Sequence, residues 1–337
     1  MTLKGSVEIR ELEATSLENN PLGDPSRRKL PVYLPPGYGS ASERYPVAYF
    51  LHGFTGSGMS WLNFPGFSLS VPERMDRLID SGAIPPLIGA FVDGWTAIGG
   101  SQWVNSEAIG RYRDYVARDV VEFVDRAYRT VARAGGRVCL GTSSGGFGAL
   151  VMGRHHPEVF AHVASHSGDA AFEYCYLHDF PRAAGALLKT GGVPEWFEDF
   201  WRRSRETKAK PEDHAVLNVL AMAAAYSPKA GAPMNIELPF DEETARLKPE
   251  VWQRWLEHDP VCFIPKSAAS FQKLRSIFVD CGTRDEFNLR WGARMVAHEL
   301  RRAGTEVMHE EFDDGHICIN YRYERSLQFL APRLDRR

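Results

Sequence analysis

Short apolar segments alternate with amphipathic helical segments along most of this chain of 337 residues. The segments Val47–Leu51 and Leu87–Val92 are apolar throughout, as expected for strands covered on both faces of a sheet. In Gly110–Tyr128, apolar residues recur at three- and four-residue steps, which is typical of a helix with one buried face. Strands that alternate with helices predict parallel β-α-β units, and therefore an α/β fold with a mostly parallel central sheet flanked by helices. The other predicted strands are Ser6–Ile9, Lys29–Leu34, Arg137–Leu140, His162–Ser165, Ser276–Val279 and Glu306–Glu311, and the other predicted helices are Pro72–Ser81, Ser144–His155, Leu289–Arg302 and Tyr321–Leu330.

The alternation stops between residues 167 and 267. This stretch is rich in proline, aromatic residues and charge, and it contains helix-like pieces at Pro194–Arg205 and His214–Tyr226. We interpret it as a helical cap that is inserted into a single domain spanning residues 1–337. The alternative is a set of peripheral helices with no role at the site.

Composition narrows the classes of partner. The net charge of −3 gives no general electrostatic reason to bind nucleic acid or an anionic membrane, and no segment reaches the roughly 18 apolar residues of a membrane helix. Five scattered cysteines and an N-terminus without a secretory signal predict reduced thiols and a cytoplasmic protein. Oligomeric state is not indicated by the sequence.

The strongest motif is Gly141-Thr-Ser143-Ser-Gly145, where a strand-like run passes directly into a helix. A G-x-S-x-G turn between a strand and a helix is the nucleophile elbow, in which a strained serine presents its hydroxyl outward. The neighbours two positions before and after must be very small. Ser143 satisfies this and Ser144 does not, so Ser143 is the predicted nucleophile. The alternative interpretation is a packing or phosphate-binding turn.

A serine nucleophile requires backbone donors for the oxyanion of its tetrahedral intermediate. The residue after the nucleophile, Ser144, should supply one N–H group. The second should come from the loop after an early strand, here His52-Gly53-Phe54, and Phe54 is the predicted donor. His52 is expected to support this loop.

The acid and the base should follow in the chain order serine, acid, histidine. Asp285 lies beyond Gly282 at the end of a late strand, where catalytic groups gather in α/β sheets. We predict Asp285 as the acid, with Glu286 as the alternative. One helix and one strand later, His316 falls where the general base belongs.

Other chemistry has weaker support. Five residues could be imagined as metal ligands, but they do not have the spacing of a metal-binding motif. We therefore expect neither a metal nor a cofactor. The five residues are His52, His162, His166, Asp169 and Glu173. Eight aromatic residues near the predicted loops and cap could line a substrate pocket, although most are expected to fill the core. These residues are Trp61, Trp95, Trp103, Phe172, Tyr174, Tyr176, Trp196 and Trp201.

With these motifs assembled, the chain resembles the putative-esterase (esterase D-like) family of α/β-hydrolases, which is related to enterochelin esterases, feruloyl esterases, S-formylglutathione hydrolases and the antigen 85 mycolyltransferases. The resemblance implies an α/β-hydrolase fold and the same triad and oxyanion groups as above. This chain differs from many members of the family in having Ser144 where they carry methionine. The segments that carry the resemblance are YFLHGFTG (Tyr49–Gly56), GTSSGGFGAL (Gly141–Leu150), CGTRDEFNL (Cys281–Leu289) and FDDGHICINYRYE (Phe312–Glu324).

Three functions remain to be distinguished. The first is hydrolysis of a small-molecule carboxylic ester through an acyl-enzyme. The second is an acyltransferase that uses the same triad and passes the acyl group to an alcohol. The third is a catalytically silent α/β-hydrolase that serves as a binding module, which the presence of all three triad residues disfavours.

Overall fold

A single eight-stranded sheet organises the protein in the computed structural model, which describes residues 3–63, 66–206 and 209–336. The strand order is β1-β2-β4-β3-β7-β8-β9-β10, and all neighbours from β4 to β10 are parallel. A separate two-stranded ribbon pairs β5 with β6. The strands are β1 (Ser6–Glu13), β2 (Arg27–Leu34), β3 (Val47–Leu51), β4 (Ile88–Val92), β5 (Asn105–Ser106), β6 (Gly110–Arg111), β7 (Arg137–Thr142), β8 (His162–His166), β9 (Ser276–Gly282) and β10 (Met308–Phe312).

The mostly parallel sheet predicted from the alternation is confirmed, and each predicted strand is present. The first strand forms the edge of the sheet, where it pairs with β2 in antiparallel fashion. Strand β2 is itself antiparallel to β4, so two antiparallel strands extend the parallel part of the sheet.

Helices cover the sheet and its loops. One predicted helix, Gly110–Tyr128, is divided in the structure, because Tyr115–Val120 forms a π-helical segment between two short α-helices. The helices are α1 (Val71–Asp80), α2 (Tyr112–Asp114), α3 (Val121–Ala127), α4 (Ser144–His155), α5 (Phe172–Cys175), α6 (Phe180–Thr190), α7 (Val193–Ser204), α8 (Asp213–Tyr226), α9 (Pro249–Leu256), α10 (Pro260–Lys266), α11 (Ala268–Phe271), α12 (Leu289–Arg302) and α13 (Arg322–Leu330).

Both faces of the sheet are buried, which explains the uninterrupted apolar runs. In β3, Tyr49 and Leu51 belong to the larger core cluster, whereas Ala48 and Phe50 belong to a second cluster on the other face. Alternate residues of a strand point to opposite faces, so a strand with no polar position needs a layer of helices on each side. Helices α1 and α13 contribute to the second cluster.

The stretch between β8 and β9 contains α5 to α11 and no strand of the main sheet within its described residues. Its buried side chains, such as Phe172 and Trp196, belong to the same core cluster as Tyr49 of the sheet. Along the parts of the chain that the structure describes, no helix is both long enough and apolar enough to cross a membrane.

Candidate active site

Ser143 occupies a strained turn between β7 and α4. Its backbone angles are φ 57° and ψ −127°, which a residue with a side chain adopts only under constraint. The Ser143 N–H donates to the carbonyl of His166, 2.9 Å away, at the end of the adjacent strand β8. The hydroxyl is therefore held at the carboxyl edge of the sheet, as the G-x-S-x-G motif predicts.

The two flanking glycines have no room for a side chain. A Cβ atom on Gly145 would overlap the carbonyl group of Leu51, and one on Gly141 would lie 2.5 Å from the same Leu51 oxygen. The turn packs directly on the end of β3, so only glycine fits at both positions. The same steric requirement is the reason why Ser143, and not Ser144, was predicted as the nucleophile.

Ser144 begins helix α4 and is almost completely buried. As the first helical residue, it has no intrahelical acceptor for its N–H group. Its hydroxyl donates to Asp169 Oδ2 at 3.3 Å, so the side chain is engaged away from the position of a nucleophile.

The predicted oxyanion loop lies against the elbow. A Cβ atom on Gly53 would be 3.2 Å from the Ser143 Cβ atom, so this glycine lets the loop approach the serine closely. The next two N–H groups are already used: Thr55 donates to Gly99 O at 2.8 Å and Gly56 donates to Gly53 O at 3.1 Å. Phe54, the predicted donor, precedes them and lines the cavity beside Ser143.

His52 supports the loop as a neutral ring. Its Nε2 atom accepts from the Gly94 N–H at 2.9 Å, so the proton must reside on Nδ1, which donates to Gly53 O at 2.8 Å. Burial lowers the pKa of this imidazole, which keeps it uncharged. The expected supporting role of His52 matches these contacts.

Asp285 and His316 meet although 31 positions separate them in sequence. The His316 Nδ1 atom lies 2.7 Å from Asp285 Oδ2, and both side chains are nearly inaccessible to solvent. Asp285 Oδ1 accepts the N–H groups of Phe287 at 3.0 Å and Leu289 at 3.3 Å. Burial alone would raise the pKa of Asp285, but the hydrogen bond and charge of His316 and these two N–H groups outweigh it, so the pKa is lowered.

Glu286, the alternative acid, has a different position. Its Oε2 atom accepts the backbone N–H of His316 at 2.7 Å, so it anchors the loop and does not contact the imidazole. A further buried aspartate, Asp280, lies within β9 and away from this pair, where it contacts His166 Nδ1 at 2.7 Å and Arg322 Nε at 2.8 Å. The side chains of His166 and Asp280 are completely buried, and together with Arg322 they join β8 and β9 to α13.

Ser143 and His316 line one cavity of about 540 Å³. The loops after β3, β7 and β10 form part of its wall, and helices α5 and α8 contribute further residues. The contributions from the inserted stretch are Asp169, Cys175, Tyr176, His214 and Asn218.

Four aromatic rings of the cavity wall contact one another in succession. Phe54 lies 6.1 Å from His214 between ring centroids, His214 lies 6.0 Å from Phe287, and Phe287 lies 4.8 Å from His316. Of the eight aromatic residues considered from the sequence, Trp61 and Tyr176 line the cavity. Trp103, Phe172 and Trp196 are core residues, as expected for most of the set.

The structure adds site residues that the sequence did not single out for this role. Asp169 was considered only as an imaginable metal ligand, yet it lines the cavity together with His214, Asn218 and Phe287. Its place just beyond the end of β8 is the signal that could have identified it. Within the described ranges, no group of three or more histidine, cysteine, aspartate or glutamate residues is arranged to hold a metal ion.

The parallel sheet, the strained serine turn and the histidine-aspartate pair at the carboxyl edge define an α/β-hydrolase fold. The model of the family described as "Putative esterase" matches residues 25–316. The chain therefore belongs to that family, which confirms the resemblance seen in its motifs.

Individual relatives share only a small fraction of identical residues with this chain. Esterase Rv1288 from Mycobacterium tuberculosis (strain ATCC 25618 / H37Rv) is 27% identical over 183 residues, which cover 53% of this chain and 38% of that protein. The match thus spans well under half of the relative's length.

Solved structures cover nearly the whole chain. A ferulic acid esterase superposes with a TM-score of 0.62 at 18% identity, over 99% of this chain and 100% of that chain. An S-formylglutathione hydrolase from Agrobacterium tumefaciens superposes with a TM-score of 0.58 at 15% identity, over 99% and 98%. At these identities the superpositions establish the fold alone.

Proposed function

We propose that this protein is a serine carboxylic ester hydrolase in which Ser143 is the nucleophile, His316 the general base and Asp285 the acid. The observation that carries the proposal is that an imidazole bonded to a buried carboxylate shares a cavity with a serine on a strained turn. Membership of the putative-esterase family supports ester hydrolysis, and small-molecule esters suit a cavity of about 540 Å³.

In this proposal each nitrogen of His316 has its own role. Asp285 is ionised at neutral pH because its pKa is lowered, so it can only accept, and Nδ1 must carry the proton. The Nε2 atom is then left with the lone pair that removes the proton from the Ser143 hydroxyl. The imidazolium formed in this way is stabilised by the neighbouring carboxylate.

The reaction proceeds in two halves. Ser143 Oγ attacks the ester carbonyl, and His316 returns the proton to the departing alcohol as the acyl-enzyme forms. Water, activated by His316, then attacks the acyl-enzyme and releases the acid. During both halves the N–H groups of Phe54 and Ser144 would bind the oxyanion, each contributing about 3–4 kcal/mol to the transition state.

The inserted stretch, residues 167–267, has a part in this proposal as a cap of the single domain. Five of its residues line the cavity, which supports a role in substrate binding over a purely peripheral one. The five cysteines are unpaired, and we propose on this ground that the protein works in a reducing compartment such as the cytoplasm.

The test is hydrolysis of p-nitrophenyl esters of increasing acyl length by the wild type and the Ser143→Ala variant. We expect turnover by the wild type and loss of at least about 10³-fold in kcat for the variant. Product analysis with an added alcohol distinguishes the free acid from a transferred acyl group. A wild type that leaves every ester intact and resists a fluorophosphonate probe would contradict the proposal.

A further inference from the structure

Asp169 is the carboxylate in the described part of the cavity wall. It follows β8, is 7% exposed, and faces the same space as Ser143 and His316. The proposed ester hydrolysis does not use it. A buried carboxylate in a binding cavity requires a hydrogen-bonding or charged partner to compensate its lost hydration.

One of its two oxygens is fully occupied. Asp169 Oδ2 accepts from Gln102 Nε2 at 2.9 Å, from the Tyr176 hydroxyl at 2.9 Å and from the Ser144 hydroxyl at 3.3 Å. Gln102 Nε2 also lies 3.1 Å from the Tyr226 hydroxyl, which fixes the amide in turn. Three donors on one oxygen hold the carboxylate in a single orientation.

The other oxygen is open. Among residues 3–63, 66–206 and 209–336, Asp169 Oδ1 has no hydrogen-bond partner, and it is not enclosed by protein atoms. No lysine or arginine side chain is present in the described cavity wall to pair with it. The cavity therefore presents an acceptor whose orientation is held by the contacts of the other oxygen.

We propose that Asp169 determines specificity by accepting a hydrogen bond from a hydroxyl or amine group of the ester substrate. This inference rests on the proposed function and names a substrate class for the same site. A substrate without the donor would cover Oδ1 and exclude water without replacing its hydrogen bond, which disfavours binding in the transition state as well as in the ground state.

The first experiment uses the wild type alone. Matched p-nitrophenyl and alkyl esters carry a hydroxyl, an ammonium or a methoxy group at the same position, in one series on the acid portion and in another on the alcohol portion. We expect at least one series in which kcat/KM for a donor exceeds that for its methoxy partner by roughly tenfold or more. The hydroxyl and ammonium arms identify the kind of donor. Equal kcat/KM values in every series would overturn the proposal.

The second experiment uses the Asp169→Asn variant, in which the surrounding hydrogen bonds determine the orientation of the new amide group. The asparagine carbonyl oxygen must take the place of Oδ2, because Gln102, Tyr176 and Ser144 all donate to it. The amide nitrogen then replaces Oδ1, so the group that faces the cavity changes from an acceptor to a donor. We expect the ratio of kcat/KM values to reverse and favour the methoxy ester. A ratio that still favours the donor would overturn the proposal.

Asp259→Asn is the matched control. Asp259 is also buried, but it does not line the cavity. It accepts the N–H groups of Ala171 at 3.1 Å and Phe172 at 2.7 Å, two residues that follow Asp169 closely in the chain. Its variant should keep the wild-type preference. If the wild type does not hydrolyse even a simple acetate ester, the proposed function fails; if it hydrolyses acetate without discriminating donors, only the present inference fails. Should Asp169→Asn not fold by circular dichroism, the wild-type panel decides.

Discussion

Replacing Asp285 by asparagine tests how the carboxylate acts on His316. Asp285 Oδ1 accepts two backbone N–H groups, from Phe287 and Leu289, while Oδ2 faces the imidazole. If the amide nitrogen of the variant faced the two N–H groups, it would leave both unpaired at about 1–3 kcal/mol each. The asparagine oxygen must therefore stay with the backbone, and its amide nitrogen must point at His316.

That orientation reverses the tautomer of the base. A donating amide requires Nδ1 of His316 to accept, so the proton moves to Nε2 and the lone pair needed by Ser143 is lost. We expect kcat to fall by about 10⁴-fold, which corresponds to about 5 kcal/mol at 1.36 kcal/mol per tenfold change. The free energy of unfolding should change much less, because the two backbone N–H groups and His316 Nδ1 each keep a hydrogen-bond partner.

The assay is steady-state hydrolysis of a p-nitrophenyl ester, with urea denaturation to monitor folding. Asp313→Asn is the control, since its carboxylate side chain is 84% exposed and contacts Arg284 on the surface. A folded Asp285→Asn variant whose kcat stays within tenfold of the wild type would refute the assignment of the acid.

Two further predictions concern stability. Gly145→Ala should lower the free energy of unfolding by about 2–4 kcal/mol or prevent folding, because its Cβ atom would overlap the Leu51 carbonyl group. Gly185→Ala, at an exposed and open position of α6, should instead raise the free energy of unfolding by about 0.5–1 kcal/mol. Equal effects of the two substitutions in urea denaturation would contradict this prediction. Burial raises the pKa of Asp259 to about 6, so its stabilising contribution is fully present below about pH 4 and is lost as the pH rises through 6. Between pH 4 and pH 7, the free energy of unfolding of the wild type should therefore fall by roughly 2–3 kcal/mol relative to that of Asp259→Asn. A difference between the two proteins that does not change with pH would exclude this titration.

Much of the fold was predictable because the pattern of burial is local. The bounds of β3 and of helix α4 match the predicted Val47–Leu51 and Ser144–His155, since both are apolar segments ended by glycine-containing turns or polar residues. Other boundaries depend on partners. Strand β7 continues to Thr142 because its ladder with β8 pairs Thr142 with His166, a contact that no local pattern encodes.

The site shows the same division. The placement of Ser143 on a strained turn was predictable because the elbow is a local steric motif. The meeting of His316 with Asp285 was predictable because their order along the sheet is fixed by the topology. The place of Asp169 just beyond β8 was visible in the sequence, but its orientation was not predictable. Its hydrogen bonds come from Gln102 and Tyr176, on separate segments that only the folded chain brings together. The π-helical segment Tyr115–Val120 was also missed, because the apolar spacing of an α-helix fits it nearly as well.

The most direct test of the central proposal is a crystal structure of the protein after reaction with a fluorophosphonate. We predict a covalent bond between phosphorus and Ser143 Oγ, with the phosphoryl oxygen about 2.7–3.1 Å from the N–H groups of Phe54 and Ser144. An adduct on Ser144, or a phosphoryl oxygen directed away from both N–H groups, would contradict it.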